Sequence, residues 1–439
     1  MKATPHQLHD VFTPNKPARL TFVERQTINE TLVNALTTPG KQLVVYGHSG
    51  SGKTTLLVNK LEQLYENHIT TRCVSHLTFE HLVLDAFDQL NPFYDDAVRL
   101  SAKRSLSASL GTEYKGLKLQ VAKALEEQKT TSVKRFLPPT LTPQTLARLM
   151  GPAAVCWVLE DFHKLPEEEK RKLAQVMKVF MDEGDRYKYL KIVAMGAVDT
   201  ARQVVESDAE MRYRVAEIHV PLMTDDEIRE IITRESLLNF QLSSTVRDGT
   251  VSYANGLATV CHSLCLKVCQ AIGVVETLRE KVEASDKHLE TAVQQYLRDM
   301  EDTVKAAFDK ALRTHGRGKF ENTELIIRAL AQSPQDGATE KELLGRIRAA
   351  EPGYRVASLR RFLQELQIDQ RGSILRFDNA SGRYSFRDPI FRTVAKLRET
   401  RQPTVKMTVQ MTFDKLVEEM ITDLGWVEII GRRGPGRRK

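Results

Sequence analysis

The octapeptide GHSGSGKT at residues 47–54 is the feature that most constrains what this chain can fold into. It fits the pattern G-x-x-x-x-G-K-[ST] at every fixed position, a turn that binds phosphate only when it joins a strand to the start of a helix. The flanking residues have that form, because the apolar stretch QLVVY precedes the turn and the amphipathic stretch TLLVNKL follows it. The sequence therefore predicts a buried strand, a phosphate-binding turn and a helix in succession.

The side chains of this turn predict the ligand. Glycines allow backbone N–H groups to wrap a triphosphate at a helix N-terminus. Lys53 would reach the β- and γ-phosphates, and the Thr54 hydroxyl would bind Mg²⁺. We therefore expect ATP and Mg²⁺ as cofactors, and we expect the nucleotide to contact Gly47, His48, Ser49, Gly50, Ser51, Gly52, Lys53, Thr54 and Thr55.

Two adjacent acids, Glu160 and Asp161, follow the apolar run AVCWVL. Such a run predicts a strand buried on both faces, and ligands of parallel sheets bind at the carboxyl ends of strands. A phosphate-binding turn needs one carboxylate for the metal and usually another to polarise water. The usual order, Asp then Glu, is inverted here, so by position Glu160 is the metal-side acid and Asp161 the base, with slow hydrolysis expected. The alternative is a pair of surface acids.

Strands alternate with helices over residues 40–220, which predicts an α/β fold with a parallel, doubly wound sheet. Residues 225–300 are predicted to be helical throughout. Residues 91–145 fit no single element and are predicted to be an insertion or a peripheral hairpin. Polar contact to the γ-phosphate is expected from Asp199 or Thr200, which follow the strand at 191–196.

Length and composition limit the class of protein. A chain of 439 residues with 41% apolar and 28% charged residues predicts two or three globular domains. It contains no apolar run long enough to span a membrane and no signal-peptide core, so no membrane partner is expected. Five cysteines without a C-x-x-C pair are expected to be core residues in a reducing cytoplasm, and Cys261, Cys265 and Cys269 recur on one helical face.

Charge is concentrated at the C-terminal end. Residues 1–310 sum to −2, whereas residues 311–439 sum to +9 and end in the basic stretch GRRGPGRRK. Three helical segments and a hairpin at 322–387 have the order of a winged helix-turn-helix, which places its third helix in the DNA major groove. Candidate DNA-binding residues are Arg355, Arg360, Arg361, Arg376 and Arg383, with Arg371 and Arg387 also on the hairpin. Winged helices also serve as protein-docking modules, so both outputs stay open.

The chain resembles AAA+ and STAND-type P-loop ATPases with a C-terminal winged helix, among them origin-recognition-like initiators, transposition regulators and bacterial defence ATPases. The resemblance is carried by the stretches FVERQ (22–26), VVYGHSGSGKTTLL (44–57), WVLEDFHKL (157–165), KIVAMGAVDTA (191–201), RVAEIHVPLMTDDEI (214–228) and SYANGLATVCHSLCL (252–266). It implies an N-terminal arm at 1–20, an ATPase core at 21–222, a helical lid at 223–312, a winged helix at 313–400 and a C-terminal segment at 401–439.

The resemblance also implies that ATP assembles protomers into a homo-oligomer, with an arginine of one completing the site of the next. That role maps to Arg214, or alternatively to Arg212, although either arginine would equally suit a surface salt bridge. Many relatives carry a lid arginine in a G-x-x-R pattern, but here Thr259 stands in its place. This departure favours a nucleotide-gated switch over a fast motor.

Three functions fit these observations. The first is an ATP-dependent switch that assembles and engages DNA with slow hydrolysis. The second is a STAND-like scaffold that gates a partner effector protein without contacting DNA directly. The third is a kinase-like phosphotransferase, which the additional lid and winged helix disfavour.

Overall fold

The structure, a computed structural model, describes residues 5–65, 67–90, 142–197, 211, 213–300, 302–313, 321–378 and 381–399. The predictions for most of the 91–145 insertion, for Asp199, Thr200 and Arg212, and for the segment 401–439 lie outside these residues. Within them, no helix is long and apolar enough to cross a membrane.

A five-stranded parallel sheet forms the core. Its strands are β1 (Gln42–Tyr46), β2 (His68–Arg72), β3 (Cys156–Glu160), β4 (Lys191–Gly196) and β5 (Val215–His219). They lie in the order β2-β3-β4-β1-β5, and every adjacent pair is parallel. The predicted doubly wound α/β sheet is therefore confirmed. Because its strands are parallel, the carboxyl ends of β1, β3 and β4 lie at one edge.

Helices cover both faces of the sheet. One face packs against α2 (Gln26–Thr37) and α3 (Lys53–Leu64), the other against α4 (79–90), α5 (Pro143–Met150) and α6 (Glu167–Asp182). Successive strand residues point to opposite faces, so Val158 packs on the α3 side while Leu159 packs on the α6 side. By the same alternation Glu160 belongs to the α3 face, beside the predicted phosphate-binding turn.

The lid follows β5. It contains α7 (Asp225–Thr233), α8 (Ser244–Ala254), α9 (Ala258–Ile272), α10 (Asp286–Asp299) and α11 (Asp302–Leu312). The prediction of helix throughout 225–300 was wrong at two short strands, β6 (Phe240–Leu242) and β7 (Val282–Ala284), which pair in parallel. Phe240 and Leu242 are buried around an exposed Gln241, the alternation of a strand. The three cysteines of α9 are buried, as predicted for core residues.

Residues 321–399, hereafter the C-terminal module, contain the three helices and the hairpin in the predicted order. The elements are α12 (Asn322–Ala331), α13 (Glu340–Ala350), α14 (Val356–Glu365), β8 (Leu375–Asp378), β9 (Arg383–Phe386) and α15 (Pro389–Glu399). β8 and β9 pair antiparallel. The module has no separate core, because Leu330 and Val394 belong to the same hydrophobic cluster as Leu264 of the lid.

The segment predicted as an N-terminal arm packs across the lid and reaches α3, which covers one face of the sheet. Its short helix α1 (Leu8–Val11) buries Leu8, Val11 and Phe12 in the lid cluster. The Thr13 N–H donates to His262 Nδ1 at 3.1 Å. Farther along, the Ala18 carbonyl accepts from Asn59 Nδ2 of α3 at 3.0 Å. This segment, the strap (residues 5–20), therefore connects the lid to the helix that follows the phosphate-binding turn.

The contact of the strap with His262 predicts an acid-sensitive fold. Burial lowers the pKa of His262 from 6.5 to about 4. As pH falls from 6.5 towards 4, the unfolded chain binds a proton that the folded chain does not, so the free energy of unfolding should fall by up to about 3 kcal/mol. Urea titrations at several pH values measure this. His262→Gln should flatten the slope, whereas exposed His9→Gln should not; an unchanged slope in His262→Gln would contradict the assignment.

Candidate functional site

The turn at 47–54 has the backbone that its glycines predict. Gly47, Gly50 and Gly52 have φ angles of +156°, +78° and +90°, a region that side chains disfavour. A Cβ on Gly47 would lie 2.2 Å from the Val220 carbonyl oxygen, so only glycine lets the turn leave β1 beside the chain that exits β5. α3 begins directly afterwards at Lys53. The turn therefore presents its backbone at a helix N-terminus, as an anion site requires.

Lys53 is held inside this turn by the backbone. Its ammonium donates to the carbonyl oxygens of Gly47 at 3.0 Å and His48 at 2.7 Å. Burial lowers the pKa of Lys53, while the charges of Asp161 and Asp388 oppose that shift. The Ser51 hydroxyl is buried and has no hydrogen-bond partner among the described residues. A cationic group and an unpartnered buried donor inside one turn fit a polyphosphate.

Thr54 and Glu160 lie on the same face of the sheet. The Thr54 hydroxyl contacts Met195 Sδ at 3.9 Å, and Met195 packs on the α3 side of β4. Leu159 pairs with Ala194, so Glu160 is the next residue of the neighbouring strand, one interstrand spacing from Met195. Its carboxylate is 18% exposed and lies 3.6 Å from Arg72. A hydroxyl and a carboxylate so placed are oxygen ligands suited to Mg²⁺.

Asp161 leaves the strand in a left-handed conformation, with φ of +57°. Its carboxylate pairs with Lys164 at 2.7 Å, and its charge raises the pKa of Lys53 against the effect of burial. The negative charge of Asp161 therefore stabilises the charged form of Lys53, the lysine predicted to bind phosphate. The roles predicted by position, Glu160 for the metal and Asp161 for water, stay predictions.

His163 is a site residue that sequence reasoning missed. Its Nδ1 accepts from the Ala197 N–H, just beyond β4, at 3.3 Å. Burial lowers the pKa of His163, and the charge of Asp161 acts in the opposite direction. A polar side chain two residues after the acid pair was the available signal.

The lid closes over the turn through its backbone. The Thr259 N–H, in the first turn of α9, donates to the Gly50 carbonyl at 3.4 Å. At the entry to the lid, the Met223 N–H donates to the Gly256 carbonyl at 2.9 Å. Arg25, from the stretch FVERQ, is buried and donates to the carbonyl oxygens of Pro221 and Leu222 at 3.0 and 3.2 Å. These contacts fix the connection from the sheet domain to the lid.

Arg214 lies at the other edge of the sheet. It directly precedes β5, whose Val215 pairs with Gln42 at the start of β1, whereas the phosphate-binding turn follows the end of β1. A five-residue strand separates the two edges by roughly 16 Å. Arg214 pairs with Asp182 at 2.9 Å. It does not join the site of its own chain, so only a role in another protomer's site is compatible with the prediction.

The candidate DNA-binding arginines occupy different surroundings. Arg355 is exposed at the start of α14, while Arg360 binds both carboxylate oxygens of Glu340 at 2.9 and 3.0 Å and Arg361 binds Glu365 at 2.8 Å. Arg383 lies 3.4 Å from both Asp336 and Glu342. Arg376 instead lines a cavity that it shares with His48.

Arg371, which precedes the hairpin, is only 7% exposed and donates to the Arg313 carbonyl at 2.6 Å. Its role on the hairpin was therefore wrongly predicted, because the guanidinium satisfies the end of α11 rather than facing outward. The sequence alone does not distinguish an arginine that caps a helix from one that faces a ligand.

Comparison with solved structures supports the fold. The Walker-type ATPase of Pyrococcus abyssi superposes with a TM-score of 0.50 over 87% of this chain and 98% of that chain, at 16% identity. The chain has the fold of a Walker-type ATPase. The predicted P-loop ATPase fold is thus confirmed.

Two further structures are similar with lower scores. Cdc6p from Pyrobaculum aerophilum has 14% identity over 90% of this chain and 99% of that chain, with a TM-score of 0.41. The ORC2 protein of Aeropyrum pernix, in its ADPNP–ADP complexes, has 12% identity over 90% of this chain and 99% of that chain, with a TM-score of 0.42. No protein-family model matches the chain, and no curated protein sequence matches it.

Replacement of Gly47 tests the geometry of the turn. Gly47→Ala should lower ATP affinity at least roughly tenfold, because the added Cβ displaces the turn from the Val220 carbonyl and misplaces the N–H groups that bind phosphate. Titration with a fluorescent ATP analogue measures the affinity. Gly345→Ala, whose Cβ would meet open space, is the matched control. Equal affinities for the two variants would contradict the proposed role of the turn.

Proposed function

We propose that this protein is an ATP-binding, slowly hydrolysing switch of the AAA+ type that assembles with copies of itself and engages DNA in a nucleotide-dependent way. The observation that carries the proposal is the arrangement at the carboxyl edge of the sheet. There the turn at 47–54 holds Lys53 on its own carbonyl oxygens, and Asp161 acts on that lysine through its charge. The protein is proposed to act in the cytoplasm, where its buried thiols stay reduced.

Nucleotide binding follows from the turn. An incoming triphosphate competes with the Gly47 and His48 carbonyls for the Lys53 ammonium and offers a full negative charge in their place. The buried Ser51 hydroxyl gains an acceptor at the same time. Thr54 and Glu160 are the residues that would hold Mg²⁺, which supplies neutralisation of phosphate charge. The new partners of Lys53 and of Ser51 both favour the nucleotide-bound state.

Slow hydrolysis follows from the inverted acid pair. Asp161 is one methylene shorter than the glutamate usual at that position, and its carboxylate is paired with Lys164 at 2.7 Å. A base that is short and neutralised by a lysine orients water less well. The site therefore suits a protein whose ATP-bound state persists.

Replacing Glu160 and replacing Asp161 should have different effects on ATP binding and hydrolysis. Asp161→Asn should lower the hydrolysis rate constant about a hundredfold with ATP affinity nearly unchanged, because it removes a base. Glu160→Gln should instead weaken the Mg²⁺ dependence of ATP binding. Steady-state phosphate release and Mg²⁺ titration give the two readouts, with exposed Glu168→Gln as control. The reverse pattern would exchange the two roles, and no effect of either would contradict both.

Engagement of DNA is proposed for the C-terminal module. Arg355 is exposed at the start of α14, and Arg360 and Arg361 keep 66% and 72% of their side-chain surface exposed despite their ion pairs. Exposed pairs are weak, so a DNA phosphate can replace the carboxylates. The basic tail at 431–439 would add contacts without sequence preference.

Self-assembly is proposed through Arg214. Because this residue lies at the edge opposite its own phosphate-binding turn, a neighbouring protomer is the place where its charge would act. Its pairing with Asp182 is exposed and costs little to break.

A second candidate function is a scaffold whose nucleotide state gates a partner protein. The specific observation in its favour is that Glu340, Glu365, Asp336 and Glu342 lie beside the candidate DNA-binding arginines. A surface of mixed charge suits a protein partner better than a polyanion. Co-purification of an effector, together with no protection of DNA, would decide for this candidate.

An electrophoretic shift assay tests the proposed switch. DNA affinity should be at least about fivefold higher with ATP than with ADP, the lower end of ordinary allosteric coupling. Lys53→Ala should abolish the difference because it removes the charge that binds the β- and γ-phosphates. Exposed Lys16→Ala should preserve it. DNA affinity that is indifferent to both nucleotide and Lys53 would contradict the proposal.

A further inference from the structure

A cavity of about 60 Å³ separates the phosphate-binding turn from the C-terminal module. His48 lines it from the turn, Asn255 from the lid, and Arg376 and Arg392 from the C-terminal module. Pockets that accept drug-sized ligands measure roughly 300–1,000 Å³, so a nucleoside does not fit here. The cavity has room for part of a phosphate group at most.

The cavity shares its wall residue His48 with the turn that holds Lys53. The Lys53 ammonium lies 2.7 Å from the carbonyl oxygen of His48, a residue of the cavity wall. In this type of turn the lysine is the group that reaches the β- and γ-phosphates. The third phosphate of ATP, which ADP lacks, would therefore lie beside the cavity.

Arg376 faces this cavity from the hairpin. Its partner across the hairpin is Ser385, which also lines the cavity. The next pair, Phe377 and Tyr384, pack against each other at a tilt, with ring centroids 4.6 Å apart. Arg376 Nε donates to Ser385 Oγ at 2.9 Å, which fixes the side chain on the strand. Its charge contributes to the lowered pKa of His48, behind burial as the main cause. The guanidinium is thus positioned by one hydrogen bond and retains donors for an anion.

Arg392 lines the same cavity but is engaged by the protein. Its guanidinium donates to Asn255 Oδ1, to the Ser333 carbonyl and to the Ala331 carbonyl. These bonds connect α15 to α12 and to the turn before α9. Arg392 therefore connects the lid to the C-terminal module through hydrogen bonds.

We propose that Arg376 contacts the terminal phosphate of ATP bound to the same chain and makes the C-terminal module discriminate ATP from ADP. The inference rests on the proposed ATP-binding function. Thr259, exposed at the start of the lid helix α9, has no charge with which to bind a phosphate. The proposal gives that contact to Arg376 of the hairpin instead. The same arginine is then not available to DNA when ATP is bound.

Asp388 opposes this contact. Asp388 directly precedes Pro389, which lines the cavity, and its carboxylate accepts from the Ile390 N–H at 2.9 Å at the start of α15. Its charge also acts on Lys53 and His48. A third phosphate would add negative charge close to this carboxylate. Asp388 therefore weakens ATP binding more than ADP binding, and the two C-terminal residues should have opposite effects on discrimination.

Titration of the full chain with fluorescent ATP and ADP analogues tests the proposal. Arg376→Ala should lower ATP affinity roughly tenfold, the effect of one lost hydrogen bond to a charged group, and change ADP affinity less than about twofold. Asp388→Asn, which keeps the helix cap, should raise ATP affinity more than ADP affinity. Arg346→Ala, an exposed arginine of α13, is the matched control.

Each outcome separates the inference from the function on which it rests. Retained ADP affinity shows that the Arg376→Ala variant is folded, so a selective loss of ATP affinity supports the phosphate contact. Equal losses for ATP and ADP, or no loss, would overturn it while ATP binding by the wild-type chain still upholds the proposed function. Failure of the wild-type chain to bind ATP would contradict the proposed function itself and this inference with it.

Discussion

The continuous hydrophobic core of the lid and the C-terminal module is the constraint on which the rest of the structure depends. Leu264 of α9, Leu330 of α12 and Val394 of α15 pack in one cluster, which the strap joins through Phe12. Asn255, in a left-handed conformation at the end of α8, adds polar contacts, since it donates to the Pro389 carbonyl and accepts from Arg392. To separate the two parts would expose this core to water, at a cost of about 25 cal/mol for each Å² of apolar surface. They are therefore expected to move as one body.

The proposed nucleotide site lies where this body meets the domain of the five-stranded sheet. The contacts across that boundary at the phosphate-binding turn include polar and electrostatic ones, namely the hydrogen bond from the Thr259 N–H to the Gly50 carbonyl and the effect of the Arg376 and Asp388 charges on His48. Such contacts are altered by an added phosphate far more easily than a packed core is. In the proposed switch, the loss or gain of a single phosphate would therefore reposition the lid together with the hairpin. This coupling gives a physical route from nucleotide to the proposed DNA surface.

Much of the ATPase core could be predicted from the sequence, because its signals are local. The strand at 191–196 is buried along its whole length, and the turn at 47–54 carries fixed residue types at fixed spacing. Contacts between distant segments could not be predicted. Arg376 was predicted to bind DNA, and nothing in the sequence indicates that it lines a cavity together with His48, some three hundred residues away in the chain. The strap was missed as a packing element because Leu8, Val11 and Phe12 fill barely one helical turn, too short to establish a period.

The central claim is that the lid and the C-terminal module move together when ATP replaces ADP. Pulsed electron–electron double resonance tests it by measuring distances between two nitroxide labels on introduced cysteines. The labels occupy exposed positions, Glu30 of α2 with Arg346 of α13 in one pair and Glu290 of α10 with Arg346 in the other. The native cysteines in the described part of the chain are buried. The account predicts that the core-to-module distance, Glu30 to Arg346, differs between ATP and ADP. The lid-to-module distance, Glu290 to Arg346, should stay constant. A lid-to-module distance that shifts with nucleotide while the core-to-module distance does not would contradict the claim.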